Sequence, residues 1–167
     1  MNKKSIGKIL VHVLVVAWMI LIFHMSAQPG EVSGDISGSV SHTFMKIWNV
    51  IFFRGWNEAE ILHMAEIWNY PIRKLAHMTE FGILAMLFYG GLRYYGEHLK
   101  RLPGTPTRTR YIAAWILTVI YAATDEIHQL FVPDRSGNAF DVCIDATGAL
   151  LALLVLWCFI KLINRKR

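Results

Sequence analysis

The sequence predicts an all-α membrane protein: a four-transmembrane-helix bundle with one or two interfacial amphipathic helices in its first outer connection. Three observations carry this expectation. The 167 residues are 54% hydrophobic and only 17% charged, with a mean hydropathy of +0.38, too apolar for an ordinary soluble domain. Four windows, Ile6–Met25, Ile72–Tyr95, Tyr111–Phe131 and Phe140–Ile163, approach or exceed the ~20 mostly apolar residues that cross a bilayer core. Basic residues cluster beside those windows on one predicted side. The chain reads as a single domain over 1–167.

The first window follows Lys3 and Lys4 and is longer than the ~7–15 apolar residues usual in a cleaved signal peptide, so it reads as a retained span. After it comes the longest connection, Ser26 to Pro71, which opens on the turn-rich SAQPGEVSGDISGS. Val40, Phe44, Ile47 and Ile51 then recur at the spacing of one apolar helix stripe, widened by Trp48, Phe52 and Trp56. A second amphipathic stretch, WNEAEILHMAEIWNY, sets Ile61, Leu62, Ala65 and Trp68 against Glu58, Glu60 and Glu66. Both are expected to cap the bundle, or to gate it for a lipid. The connection at 96–110, with its RLPGTPTRTR run, reads as an inner loop without chemistry.

Orientation follows from charge. Twelve of the 17 bases (Lys3, Lys4, Lys8, Arg93, Lys100, Arg101, Arg108, Arg110, Lys161, Arg165, Lys166 and Arg167) fall on the side holding both termini, opposed there only by Glu97. That side is expected to be cytoplasmic. The pI of about 9.4 then reports topology rather than a nucleic-acid partner. Cys143 and Cys158 share the last span at a separation of ~22 Å, beyond disulfide reach. No CxxC, HExxH, GxGxxG or phosphate-loop pattern is present, and no internal repeat.

What remains is polar and intramembrane. Arg73, His77 and Glu80 share one face at the outer end of the second span. Asp125, Glu126 and Gln129 close the third, and Asp141, Asp145 and Gly148 share a face where the fourth begins. At ~1.5 Å per residue Glu80 lies ~12 Å deep, Asp125 ~9 Å and Asp145 ~7.5 Å, which puts them in one layer. An ionisable residue at the centre of a span costs at least ~2.5–3.5 kcal/mol on insertion scales, so such residues face a bundle interior, pair, or line a wet cavity. A shared, outward-opening pocket is the expectation.

The blocks SAQPG (26–30), RKLAHMTEFGIL (73–84), DEIHQLFVPDRSG (125–137) and DVCIDATGAL (141–150) resemble, as an ordered set, the VanZ family of small bacterial membrane proteins. Carried over by position, the family pattern falls on Ser26, Gln28, Arg73, His77, Glu80, Asp125, Glu126, Gln129, Arg135, Asp141, Asp145 and Gly148. Phe44 to Asn69 is not covered by it. The resemblance implies a connection with resistance to teicoplanin, a lipidated glycopeptide antibiotic acting at the outer leaflet on cell-wall precursors.

The residues leave several readings open. His77, Glu80, Asp125, Glu126, Asp141 and Asp145 would suit a divalent metal ion activating water against a lipid-linked phosphate or ester, with Arg73 or Arg135 steadying negative charge. Ser26 would act as a nucleophile with His77 as base. Without chemistry, the pocket and the Trp48, Trp56 and Trp68 platform would bind membrane lipid, a lipid-linked cell-wall precursor or a lipoglycopeptide. A transporter or flippase fits four short spans poorly unless the chain oligomerises, which Gly82, Gly90, Gly91, Ala122, Ala123, Gly148 and Ala152 would permit. Arg73 and Arg135 would otherwise simply neutralise acids and hold the helices in register.

Overall fold

A computed structural model describes residues 3–99 and 107–165 as five helices: α1 (Lys3–Ser26), α2 (Gly30–Ile51), α3 (Glu58–Leu99), α4 (Thr107–Gln129) and α5 (Ala139–Arg165). α3 is the axis of the molecule. It touches every other helix, and its most extensive packing is with α5, then α2 and α4. Three segments, Ser5–Ser26, Glu58–Tyr95 and Ala139–Arg165, are long and apolar enough to cross a membrane. α4 falls short of that measure because its last turns carry Asp125, Glu126, His128 and Gln129.

Burial is arranged for an apolar solvent. α1 turns Val15, Ile22 and Ser26 inward and leaves Ile9, Leu10, Val13, Val16 and Ile20 exposed. Leu150, Leu151, Leu154 and Val155 of α5 are exposed likewise. Such continuous apolar surface is foreign to soluble monomers and ordinary for helices facing lipid. Inside, Ile22, Phe81, Leu84 and Ala122 form one cluster, and Ala85, Tyr89, Ala114, Ala149 and Leu153 another. Indole and phenol hydrogens find carbonyls: Trp18 donates to Glu80 O at 2.9 Å, Trp115 to Ala146 O at 2.9 Å and Tyr121 to Met19 O at 2.6 Å. These bonds satisfy the helices' polar handles where water is scarce.

The tightest crossing joins α3 to α5. A Cβ on Gly148 would run into the backbone of Met78, and one on Gly82 would lie 3.1 Å from the Ala152 side chain. Bare backbone at Gly148 is what lets these two helices touch.

The first connection departs from expectation in three ways. Its turn-rich opening is helical from Gly30 onward, because Ser41 and Met45 bury against Asn69, Ile61 and Ala65 of α3, and packing overrides poor local propensity. The apolar stripe Val40, Phe44, Ile47 and Ile51 faces outward on α2 instead of capping the bundle. The second amphipathic stretch is no separate helix: it runs through Pro71 into the second span as the single 42-residue α3. Proline removes a helical donor there, yet α2 lies alongside as a splint, with Ile72 beyond the proline packed on the same cluster as Met64 before it. At ~1.5 Å per residue α3 is about 63 Å long, twice a ~30 Å hydrocarbon core, so its first half and α2 form a helical hairpin standing beyond the bundle.

The hairpin's tip is closed locally. Asn49 pairs both ways with the Trp56 backbone at 3.0 Å, and Asn57 and Glu60 exchange side-chain to backbone bonds of 3.0 and 2.8 Å, a capping box that starts α3. The third predicted span ends two residues early, since Leu130 and Phe131 leave α4 in a turn. Helix also occupies both ends of the loop placed at 96–110, whose residues 100–106 lie outside those described.

Gly148→Ala is expected to destabilise the detergent-solubilised protein by about 1–3 kcal/mol through overpacking. Gly34→Ala, where nothing lies within 4 Å, should be neutral or stabilise by ~0.5–1 kcal/mol. Thermal unfolding followed by tryptophan fluorescence compares the two, and equal behaviour would remove the crossing as a constraint.

Candidate functional site

Where the α3–α5 crossing opens out, the polar layer collects. Ser26, Asp125, Glu126, Gln129 and Asp145 are only 2%, 4%, 6%, 5% and 2% exposed, so these side chains point into the protein and not toward its apolar exterior. Two cavities receive them. The first, about 130 Å³, is lined by Arg73, Lys74, His77, Glu126, Gln129, Arg135, Asp141 and Asp145, with Gly30, Asp134, Ser136 and Ile144 at its edge. The second, about 220 Å³, has Ser26, Gln28, Arg73, His77, Glu80, Asp125 and Arg135 on its polar wall, and Ile22, Met25, Ile36, Val40 and Ile72 on its apolar wall. Arg73, His77 and Arg135 line both.

The loop between α4 and α5 sets the shape. Arg135 donates from Nε to Gln28 O at 3.1 Å and from Nη2 to Met25 O at 3.4 Å, tying that loop to the carbonyl end of α1. The Glu126 carboxylate accepts the Asn138 backbone N–H at 2.8 Å, and Asn138 Oδ1 accepts from Phe140 N at 3.0 Å, so the start of α5 is capped twice. Gly30 N donates to Pro133 O at 3.0 Å, and a Cβ on Gly30 would strike the Asp134 carbonyl, which leaves glycine as the residue able to begin α2 there. Asp134 itself takes φ +56°, a left-handed conformation that aspartate tolerates better than most residues.

The charges are unevenly matched. Lys74 Nζ pairs with Asp141 Oδ1, while His77 Nδ1 stands 3.8 Å from Glu80 Oε2. Among the described residues neither Arg73 nor Arg135 lies within ion-pair distance of a carboxylate. Burial and the nearby Arg73 guanidinium hold Arg135 below its ordinary pKa, with Asp125 and Glu126 pulling it back up. On the acidic side Gln129 Nε2 donates to Asp125 Oδ2 at 3.0 Å, yet Asp125 Oδ1 and Ser26 Oγ, both buried, have no hydrogen-bond partner. The two side chains are neighbours, and the Ser26 hydroxyl is the donor placed to serve the Asp125 carboxylate.

The spacing argument therefore brings the named residues to one end of the bundle, with two exceptions in role. The five acids and one histidine do not converge as a ligand shell: among the described residues no three of His, Cys, Asp and Glu are grouped closely enough to hold a metal ion, and Lys74 and Arg135 are interleaved with the carboxylates. The Ser26–His77 pair is not made either: Ser26 Oγ has no hydrogen bond to His77, and its side-chain neighbour is Asp125. Lys74 was absent from the expected set. It lies one residue, a 100° turn, away from Arg73 and so faces α5 instead of sharing the Arg73–His77–Glu80 stripe. His128 stacks on Phe23 with ring centroids 4.4 Å apart, outside both cavities. Cys143 and Cys158 are free and exposed.

The VanZ/LLP1 family model matches residues 11–161, nearly the whole described chain and every residue that lines the two cavities. The chain belongs to the VanZ/LLP1 family. It is accordingly a VanZ-like membrane protein, and the matched range runs across residues 44–69, which the ordered blocks had left uncovered. No curated protein and no solved structure matches the chain.

The Lys74–Asp141 pair is the one direct ion pair between α3 and α5 among the described residues. Lys74→Met and Asp141→Asn are each expected to lower unfolding stability in detergent, and the double variant to cost less than their sum by about 1–3 kcal/mol. Strict additivity in that cycle would show that the pair does not couple the helices.

Proposed function

We propose that this VanZ-like protein crosses the membrane four times, with both termini in the cytoplasm, and binds an anionic amphiphile at the outer leaflet. α4 supplies the fourth crossing in this reading. Its acids are turned into the cavities, so the lipid would meet Ile112, Ile116, Leu117 and Ile120 instead. The α2–α3 hairpin then stands on the outer side.

One observation carries the binding reading: Arg73 and Arg135, without carboxylate partners, border a small polar cavity and a larger one with an apolar wall. A phosphate fits two guanidiniums as a forked, charge-assisted partner, and an acyl chain fits the wall of Ile36, Val40 and Met25. Membrane phospholipid and lipid-linked cell-wall precursor both offer this combination. The second would connect the site with the teicoplanin resistance for which the family is named. A covalent or metal-assisted hydrolysis draws no support from the arrangement of Ser26, His77 and the carboxylates.

Protein purified in mild detergent and washed is expected to retain about one phosphate-bearing lipid per chain. Arg73→Gln should weaken that retention roughly 10- to 100-fold, as a lost charge-assisted bond of ~1.5–3 kcal/mol predicts. Unchanged lipid phosphate in a folded Arg73→Gln protein would refute the reading. Topology is tested separately in a chain carrying Cys143→Ser and Cys158→Ser. A membrane-impermeant maleimide should label Arg54→Cys, at the hairpin tip, on intact cells, and Arg108→Cys only after permeabilisation.

A further inference from the structure

The end of the bundle that holds both chain termini has a groove of its own, remote from the two polar cavities. α4 and α5 are bridged by the Trp115 indole, which donates to Ala146 O at 2.9 Å. Beside that bridge a cavity of about 500 Å³ opens between the two helices, lined by Ile112, Trp115, Leu150, Leu153, Leu154 and Trp157. Leu153 is buried at its floor, while Ile112, Leu150, Leu154 and Trp157 are exposed along its rims. A further cavity of about 370 Å³ lies toward the end of α5, walled by Tyr89, Lys161, Asn164 and Arg165. Arg108, Tyr111 and Trp157 line both, so the two form one continuous groove.

Its chemistry is graded along its length. On α5, Leu150, Leu154, Trp157, Lys161 and Arg165 recur every three or four residues, one stripe that passes from aliphatic through aromatic to basic toward the helix end. α4 runs the other way and repeats the order from its own start: Arg108, then Tyr111, then Ile112 and Trp115. Lys161 Nζ stands 4.7 Å from the centre of the Trp157 ring, where aromatic gives way to charge. Among the described residues Arg108, Lys161 and Arg165 lie within ion-pair distance of no carboxylate. At ~1.5 Å per residue Leu150 is ~16 Å from Lys161 along α5, close to the ~15 Å of hydrocarbon in one leaflet.

The geometry points to a binding site for an anionic phospholipid in this groove: Arg108 of α4 with Lys161 and Arg165 of α5 hold the phosphate, and an acyl chain lies between Ile112, Trp115 and the leucines. A phospholipid presents phosphate, ester and hydrocarbon in the same order as the groove's bases, aromatics and aliphatics. Three bases around one headgroup favour a lipid of net negative charge over a zwitterion, whose ammonium they would repel. A second copy of the chain fits worse, since it would bring the same basic end against this one. The leaflet is the cytoplasmic one by the topology proposed above, and the site is independent of the outer cavities. Because its rims face lipid, its occupant exchanges with the surroundings and is not among the lipid expected to survive washing.

Full-length washed protein is titrated with phosphatidylglycerol or phosphatidylcholine of identical acyl chains, and bound lipid per chain is read by native mass spectrometry. Arg73→Gln serves as the background, so that the outer cavities do not contribute. Phosphatidylglycerol is expected to bind about 10-fold better than phosphatidylcholine there, and Arg108→Gln and Lys161→Gln each to weaken it roughly fivefold, the loss of one base at a lipid headgroup. Phosphatidylcholine binding should not change. Arg108→Lys should retain most of the affinity, while Lys8→Gln, which removes the same charge from α1 at the same end, should alter it by less than about twofold. Free glycerol phosphate should not compete, since it has no chain for the groove.

Equal losses from Lys8→Gln and Arg108→Gln would reduce the effect to diffuse charge and overturn the site. So would phosphatidylcholine binding as well as phosphatidylglycerol, displacement by glycerol phosphate, or a lipid-free dimer that excludes both lipids and so assigns the groove to a second copy. Retained outer lipid that ignores Arg73→Gln would sink the anionic-amphiphile reading and leave this one standing.

Discussion

Two helices that meet backbone to backbone decide where everything else lies. Gly148 of α5 rests against Met78 of α3, with Gly82 and Ala152 continuing the contact one turn along. Because side chains repeat every three to four residues, that crossing fixes its neighbours. Lys74 is one turn from Met78, and Asp145 and Asp141 are one and two turns from Gly148. The Lys74–Asp141 pair and both cavities are thus downstream of a glycine. In a bilayer, where apolar side chains gain nothing from leaving lipid for protein, close approach of this kind is a main source of helix association.

The second constraint is the accounting of polar backbone where water is scarce. The turn between α4 and α5 would expose carbonyls and amides at the mouth of the bundle. Its residues are instead occupied: Glu126 on Asn138, Arg135 on α1, and Pro133 on Gly30. The same side chains that quiet the loop also shape the pocket.

Much of the arrangement was readable from spacing. Arg73, His77 and Glu80 share a face, and they do line the larger cavity together; Asp141 and Asp145 share another, and they line the smaller one. What spacing cannot show is how two faces are rotated toward each other. Lys74 was invisible for that reason, as was the division into two cavities. The hairpin was misread on different grounds. Residues 30–39 hold three glycines and three serines, a composition that signals turns, and only contact with α3 makes them helical. Pro71 reads as a boundary because it usually is one; neighbouring helix α2 holds the two halves in line.

That proline gives the molecule a mechanical property. α3 is a single rod from the hairpin tip to the far end of the bundle, and Pro71, exposed and short of one hydrogen bond, is the weakest joint along it. Arg73 and His77 sit immediately below that joint, while the tip stands about 20 Å above it, counting 1.5 Å per residue from Glu58. The hairpin is thus a lever with its fulcrum beside the two cavities. A tilt of about 10° would carry the tip ~3–4 Å sideways over that ~20 Å arm, while Val40, beside the Ser41–Asn69 bond, stays at the level of the joint.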